Sequence, residues 1–229
     1  MLVIAHRGAS AQFAENTLDA FAGAVDQGTD GVELDVRRTF DDQLAVHHDE
    51  GLADGRLLVE TAFADLPRAV TDLDHALDAC APLAVVNIEI KNWPDDRDFD
   101  PTERLAGAVV DRLRQRGELH DGRALVSSFH LPTVDRVHEL APELATGWLL
   151  GLVENPHDLV ARAAARGHVA VHPHHVFVNE DFVRIAHDAG LAVNTWTCDE
   201  PERIRWLADL DVDAVITNTP DVALRALGR

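Results

Sequence analysis

The 229-residue chain carries 40 acidic and 20 basic side chains, a formal charge of −20, which leaves no basic face for nucleic acid and sets the surface against anionic lipid. No run of about 18 apolar residues spans a bilayer, no signal peptide opens the chain, and Cys80 and Cys198 lack metal-like spacing, so a cytoplasmic protein without membrane insertion is expected. Its length suits one compact (β/α)₈ barrel, a fold of roughly 250 residues with a lower limit of about 200.

Short β-branched runs alternate with stretches of helical period. In chain order the predicted strands are Leu2–Ala5, Gly31–Val36, Ala84–Ile90, Ala124–Ser127, Ala145–Leu150, Val169–Val171, Ala192–Trp196 and Ala214–Ile216. Most are near-continuous apolar runs, the pattern of parallel strands covered on both faces. Helices are predicted at Glu15–Gln27, Pro101–Arg116 capped by Asp100, Pro132–Leu140, Pro156–Arg166, Glu180–Ala189, Pro201–Ala208 and Pro220–Leu227. Five of these open with proline near the first turn, where its missing N–H is not needed. Regular α/β alternation argues for parallel architecture, and eight units favour a closed TIM barrel over an open sheet. No linker, repeat or low-complexity segment divides residues 1–229, which read as a single domain.

One segment breaks the rhythm. Val32–Arg38 and Leu44–His48 are extended runs joined through Asp41-Asp42, which predicts an antiparallel hairpin after the second strand. A two-residue turn there places His48 opposite Asp35, on the face that also holds Glu33. Alternation puts only one of His47 and His48 on that face, and His48 is favoured.

The C-terminal ends of barrel strands converge on one mouth, where active sites sit. Gathered there are His6 and Arg7, Glu33 and Asp35 with His48, Glu89 and Lys91, Ser128, and Asn194, Trp196 and Thr197. Glu33, Asp35 and Glu89 are hard oxygen ligands suited to one divalent cation, Mg²⁺ or Ca²⁺, which would relieve their mutual repulsion. Arg7 and Lys91 suit phosphate oxygens, and His6 and His48 could act as acid and base. Lys91 is the single lysine against nineteen arginines, which points to a geometric need for it.

The ordered motifs His6-Arg7-Gly8, Glu15-Asn16-Thr17, Glu33-Leu34-Asp35-Val36, His48-Asp49, Glu89-Ile90-Lys91, Ser127-Ser128-Phe129, Asn194-Thr195-Trp196-Thr197 and Ile216-Thr217 run along nearly the whole chain. Together they resemble the glycerophosphodiester phosphodiesterase family, within the phospholipase C-like phosphodiesterase superfamily. The resemblance implies a metal-dependent barrel hydrolase acting on a small phosphodiester, giving an alcohol and sn-glycerol 3-phosphate. It implies Glu33, Asp35 and Glu89 as metal ligands, His6 and His48 as the acid/base pair, and Arg7 and Lys91 at the phosphate. Trp196 would face the glycerol moiety, and Glu15 and Asn16 would organise the loop bearing His6. Which histidine is the acid stays open, as does the attacker, water or a substrate hydroxyl.

Two departures from the family pattern stand out. Its T-D-x-P segment is Thr217-Asn218-Thr219-Pro220 here, where Thr219 is expected to cap a helix with little effect on catalysis. The stretch Glu50–Val70 lacks an R-T-T-like segment and is short, which predicts a reduced inserted cap. Other readings are a related phosphodiesterase that forms a cyclic phosphate or takes lysophospholipids, and a non-catalytic barrel that binds metal or phosphate. Of the remaining histidines, His75, His120, His138, His157, His168 and His187 are read as surface residues. His172, His174 and His175 follow the sixth strand, as a polar loop or as a wall of the substrate pocket; His172 and Ser128 are carried with Trp196 as pocket candidates.

Overall fold

The computed structural model describes residues 1–229. Its strands are β1 (Leu2–His6), β2 (Gly31–Arg38), β3 (Leu44–Val46), β4 (Val85–Ile90), β5 (Ala124–Ser128), β6 (Ala145–Leu150), β7 (Ala170–Pro173), β8 (Ala192–Thr195) and β9 (Ala214–Thr217). Eight of them run parallel, and the β1–β2 and β1–β9 pairings close the barrel. The lower residues of β2, Gly31–Glu33, pair with β1, while its upper residues Val36–Arg38 pair antiparallel with β3 on the same edge. The predicted α/β TIM barrel with a hairpin after the second strand is the fold observed.

Eight helices cover the outside: α1 (Leu18–Gln27), α2 (Leu73–Ala79), α3 (Arg104–Arg116), α4 (Leu131–Leu140), α5 (Pro156–Ala165), α6 (Glu180–Asp188), α7 (Pro201–Asp209) and α8 (Pro220–Ala226). Proline stands in the first turn of α4, α5, α7 and α8, as predicted. Helix α3 starts later than Pro101, because Asp100 turns the chain locally by accepting from Thr102 N at 2.9 Å, and Glu103 takes a left-handed conformation before the helix begins. The sequence reading missed α2, whose seven residues give barely one repeat of the apolar pattern; Asp72 caps it by accepting from His75 N.

Strand residues that face outward pack against the helices. Val32, Leu34, Val36, Val86, Ile88 and Val126 join one core with α1, α2 and α3. On the inward face Ile4, Ala214 and Ile216 form a small apolar plug near the base. Above that plug the lumen turns polar, with buried Glu33, Asp35, Asn87, Glu89, Ser127 and His172. The fold therefore delivers polar side chains to the C-terminal mouth, as strand alternation demands.

The hairpin register differs from expectation by one residue. Val36 pairs with Val46 and Arg37 with Ala45, because the turn has three residues, Phe40–Asp42, with Asp42 in the left-handed region. His47, not His48, thus faces Asp35 across the ladder, its N–H bonding Asp35 O at 3.0 Å. Strand β3 ends at Val46, so alternation no longer governs His48.

Gly31 lies where β2 meets β4 tightly: a Cβ there would stand 2.5 Å from the Val85 carbonyl oxygen and 2.8 Å from Ile4 Cδ1. Backbone cannot yield as a side chain can. Gly31→Ala is expected to lower unfolding free energy by about 1–3 kcal/mol, measured by urea denaturation.

Candidate active site

The mouth is built from β1 onward. After His6 the chain enters the left-handed region at Arg7 and Gly8, and again at Asn16. Gly8 is required at its position, since a Cβ would stand 2.6 Å from the Ala20 backbone. The turn brings Arg7 N to Glu33 O at 2.9 Å and Glu33 Oε2 at 3.1 Å. Arg7 Nη1 donates to both oxygens of exposed Glu15 at 3.0 Å. Asn16 donates to Asp35 Oδ2 at 2.8 Å and accepts from Asp35 N at 3.3 Å, while its own N–H bonds Arg7 O. Glu15 and Asn16 thus tie this loop to Arg7 and to Asp35.

Glu33, Asp35 and Glu89 converge. Asp35 and Glu89 are direct neighbours in the β2–β4 register, and ligand oxygens of all three lie within 4.8 Å of one another. All three are buried, and Glu33 Oε1 and Asp35 Oδ1 have no hydrogen-bond partner. Two cations face them. Lys91 Nζ lies 2.7 Å from Glu89 Oε1 and 3.6 Å from Asp35 Oδ1, and Arg7 Nε lies 3.1 Å from Asp35 Oδ2 without hydrogen-bond alignment. Burial and the charges of Asp35 and Glu89 raise the Glu33 carboxyl well above the usual carboxylate range. Burial pushes Asp35 the same way, but Lys91 and Arg7 reverse it and hold Asp35 low. Glu89 is raised, burial outweighing its lysine partner.

Both predicted histidines reach this cluster. His6 Nε2 lies 3.9 Å from Glu33 Oε2, and His6 Nδ1 lies 2.7 Å from Asn218 Oδ1. Asn218 is itself oriented, because its amide nitrogen donates to Asp199 Oδ2 at 2.8 Å. Its oxygen must therefore accept, the His6 proton sits on Nδ1, and Nε2 keeps a lone pair. His48 has the same arrangement, with Nδ1 2.7 Å from Asp49 Oδ1, and Arg37 Nε fixes its carbonyl at 2.7 Å. His48 lines the cavity over the cluster despite the shifted register, and His47 does not. Burial lowers both pKa values, and the charge of Asp35 opposes it at each ring.

Sequence reasoning passed over Asn218. The departure in the Thr217-Asn218-Thr219-Pro220 segment falls on the residue that holds His6, and Thr219 makes no side-chain cap bond to α8. The signal was available as a polar residue after the last strand, but the segment was assigned to capping. Asp199, which bonds Asn218 and Thr217, gave no signal of its own.

The pocket candidates separate. Trp196 lines the cavity over the cluster, fixed by its indole N–H on the His172 carbonyl at 2.7 Å. Ser128 donates its hydroxyl to the Ile90 carbonyl at 2.8 Å and lines only the neighbouring cavity. His172 lines neither: β7 extends to Pro173, so this residue lies inside the strand and faces the lumen, beside Asn194 at 3.1 Å. His168 is also not a surface residue; it is buried between Thr146 and Asp135.

A closed (β/α)₈ barrel whose mouth joins three buried carboxylates, two cations and two oriented imidazoles belongs to the class of barrel phosphoric diester hydrolases. The model of the glycerophosphoryl diester phosphodiesterase family matches residues 6–222, and the chain belongs to that family. A glycerophosphodiester phosphodiesterase of Caldanaerobacter subterraneus is 29% identical over 240 residues, covering 97% of this chain and 96% of that one. Among solved structures, an Oleispira antarctica phosphodiesterase in complex with the product sn-glycerol-3-phosphate is 26% identical with a TM-score of 0.90, covering 100% of this chain and 97% of that one. The glycerophosphodiester phosphodiesterase of Thermotoga maritima is 27% identical with a TM-score of 0.82, covering 100% and 98%.

His172 supplies a test of the lumen's polarity. Burial pushes its pKa down to about 3. The folded ring stays neutral while the unfolded one takes up a proton below about pH 6.5, so stability falls as pH drops from 6.5 toward 3. His172→Gln should flatten that dependence by up to about 1.4 kcal/mol per pH unit, read from urea titrations between pH 6.5 and 4. An unchanged slope means the ring is already charged when folded.

Proposed function

We propose that the protein hydrolyses glycerophosphodiesters to an alcohol and sn-glycerol 3-phosphate, with residues 1–229 acting as one domain. The observation that carries this reading is the convergence of Glu33, Asp35 and Glu89 within 4.8 Å, with His6 Nε2 at 3.9 Å from Glu33. The product in the Oleispira antarctica complex supports the choice of glycerol 3-phosphate.

The carboxylates fit a hard divalent cation, Mg²⁺ or Ca²⁺: they are all-oxygen donors, and Glu33 Oε1 and Asp35 Oδ1 are buried without a partner. With all three carboxylates ionised, three negative and two positive side chains sum to −1, so a divalent ion would bring the cluster to +1, complementary to a phosphodiester monoanion. When bound, such an ion would lower the pKa of the attacking hydroxyl or water and offset charge on phosphate oxygens.

The chain's own residues do the rest. Arg7 and Lys91 line the small cavity and stabilise charge on the non-bridging oxygens. His6, its Nδ1–H fixed by Asn218, offers the Nε2 lone pair and serves as base. His48 lines both the small cavity and the larger one beside it, whereas His6 lines only the small one. Burial lowers His48, while the charge of Asp35 and, to a smaller degree, the Asp49 hydrogen bond oppose it. This assigns His48 as the acid that protonates the departing alcohol. A cytoplasmic location accords with the free thiols of Cys80 and Cys198; no helix is long and apolar enough to cross a membrane.

Two measurements test the proposal. With Mg²⁺ or Ca²⁺ present, ³¹P NMR should show glycerophosphoethanolamine converted to glycerol 3-phosphate, and His6→Ala or His48→Ala should cut kcat by about 10²- to 10⁴-fold. An unchanged rate in either variant removes that histidine from the mechanism, and an accumulating cyclic phosphate would replace net hydrolysis by ring closure. Independently of activity, the same ions should raise Tm in the parent protein and fail to do so in Glu33→Gln, followed by differential scanning fluorimetry.

A further inference from the structure

A cavity of about 690 Å³ opens beside the carboxylate cluster, at the ends of β4, β5 and β6. It shares His48, Glu89, Lys91, Phe129 and Leu149 with the cavity of about 170 Å³ over the cluster, so the two are contiguous. The smaller one suits a phosphate and a short polyol. The larger has the volume of a site for a drug-sized ligand.

Much of its wall is apolar, beside the carboxylates of Asp49, Glu50 and Asp96. Away from the cluster the wall is formed by Trp93, Phe129, Trp148, Leu150, Leu152 and Leu159. Trp93 and Leu152 stay 45% and 61% exposed, an unfavourable arrangement for a cavity that only water visits. The polar groups on this wall already have partners. Arg37 is held by Asp98 at 2.7 and 2.8 Å and by Asp96 at 2.8 Å. Glu50 pairs with Arg97, the Ser128 hydroxyl bonds Ile90 O, and the Trp148 indole N–H bonds Phe129 O at 3.1 Å. Few donors or acceptors remain to recognise a sugar or an amino-acid headgroup.

A quaternary ammonium headgroup also fits poorly. Such cations are bound over open aromatic faces. Here Lys91 Nζ lies 5.9 Å from the Phe129 ring centre, and the Arg162 guanidinium lies 5.6 Å from that of Trp148. Trp93 and Trp196 meet Phe129 edge to face, at 80° and 89°. Two of the three large rings of the wall thus already carry protein cations. The Trp93 ring and the leucine side chains remain as the uncommitted surface of the wall.

We propose that the larger cavity is the leaving-alcohol subsite and that it takes an alcohol bearing a hydrocarbon chain, such as an acyl- or alkylglycerol. This rests on the phosphodiesterase reading above and deepens it. The P–O bond to that alcohol breaks, the attacking oxygen joins phosphorus, and the departing oxygen takes its proton from His48 at the boundary of the two cavities. The glycerol phosphate stays over the carboxylates while the chain lies along Trp93, Phe129 and Leu152.

The test is a homologous series: glycerol 3-phosphate esterified with ethanol, butanol, hexanol and octanol below their aggregation concentrations, beside glycerophosphocholine. With the divalent-loaded protein, kcat/KM should rise about three- to fourfold per methylene until the cavity is full, and the octyl ester should exceed the choline ester. Leu152→Glu and, separately, Leu159→Ala should reduce the octyl-to-ethyl ratio by about tenfold or more; being a ratio within one protein, it is insensitive to the fraction folded. Turnover of every ester with a flat chain-length profile, or preference for choline over octyl, overturns this inference and leaves the phosphodiesterase reading standing. Absence of turnover for all esters overturns both.

Discussion

Three carboxylates are held with ligand oxygens within 4.8 Å of one another inside a barrel, and most of the mouth is organised around the resulting repulsion. Glu33 and Asp35 share a face because a strand alternates with period two, and Glu89 falls beside Asp35 through the β2–β4 register. Neither arrangement can relax without breaking the sheet. The chain answers with Arg7 and Lys91, and it accepts an unfavourable backbone to place the first of them. Arg7 and Asn16 both sit in the left-handed region, which costs on the order of 1–3 kcal/mol for a residue other than glycine. Asn16 offsets part of that by bonding Asp35 twice. Even so, two cations leave Glu33 raised and two carboxylate oxygens unpartnered, which is the state of a site built for one more positive charge.

The two histidines are oriented by different partners, and this separates their chemistry. His6 rests on a neutral amide that is in turn fixed by Asp199, so its Nδ1 proton is anchored without a carboxylate in direct contact. His48 rests on the carboxylate of Asp49 and is less enclosed. An amide partner favours an imidazole that begins neutral; a carboxylate partner favours one that can arrive protonated. The cavities agree with this division, since only His48 borders both.

Much of this was legible in the sequence, and the failures have physical reasons. Parallel strands announce themselves as apolar runs, and the residues at their C-terminal ends are known as soon as the strands are; hence Glu33, Asp35, Glu89, Lys91, His6 and Arg7 could be placed at one mouth. The hairpin register could not, because a three-residue turn ending in a left-handed Asp42 and a two-residue turn at Asp41-Asp42 suit the same residues. His48 reached the cavity by leaving the strand, so it lines the cavity although the ladder argument that placed it opposite Asp35 failed. His172 was misplaced by two residues of strand length, enough to move a side chain from a loop to the lumen. Asn218 was missed because its partner lies 212 residues away, at the closure of the barrel.

The carboxylate cluster also explains the lone lysine. The chain uses arginine nearly everywhere, and arginine excels where a flat guanidinium can reach several fixed acceptors, as Arg37 reaches Asp98, Asp96 and the His48 carbonyl. At position 91 the demand is different. A single positive charge must stand between Glu89 and Asp35, side chains on two strands, at 2.7 and 3.6 Å, while remaining at the wall of both cavities. A planar guanidinium would fill space over the cluster; a compact ammonium can divide its three protons among two carboxylates and a phosphate oxygen. The composition of the whole chain thus yields at the one point where geometry requires a point charge.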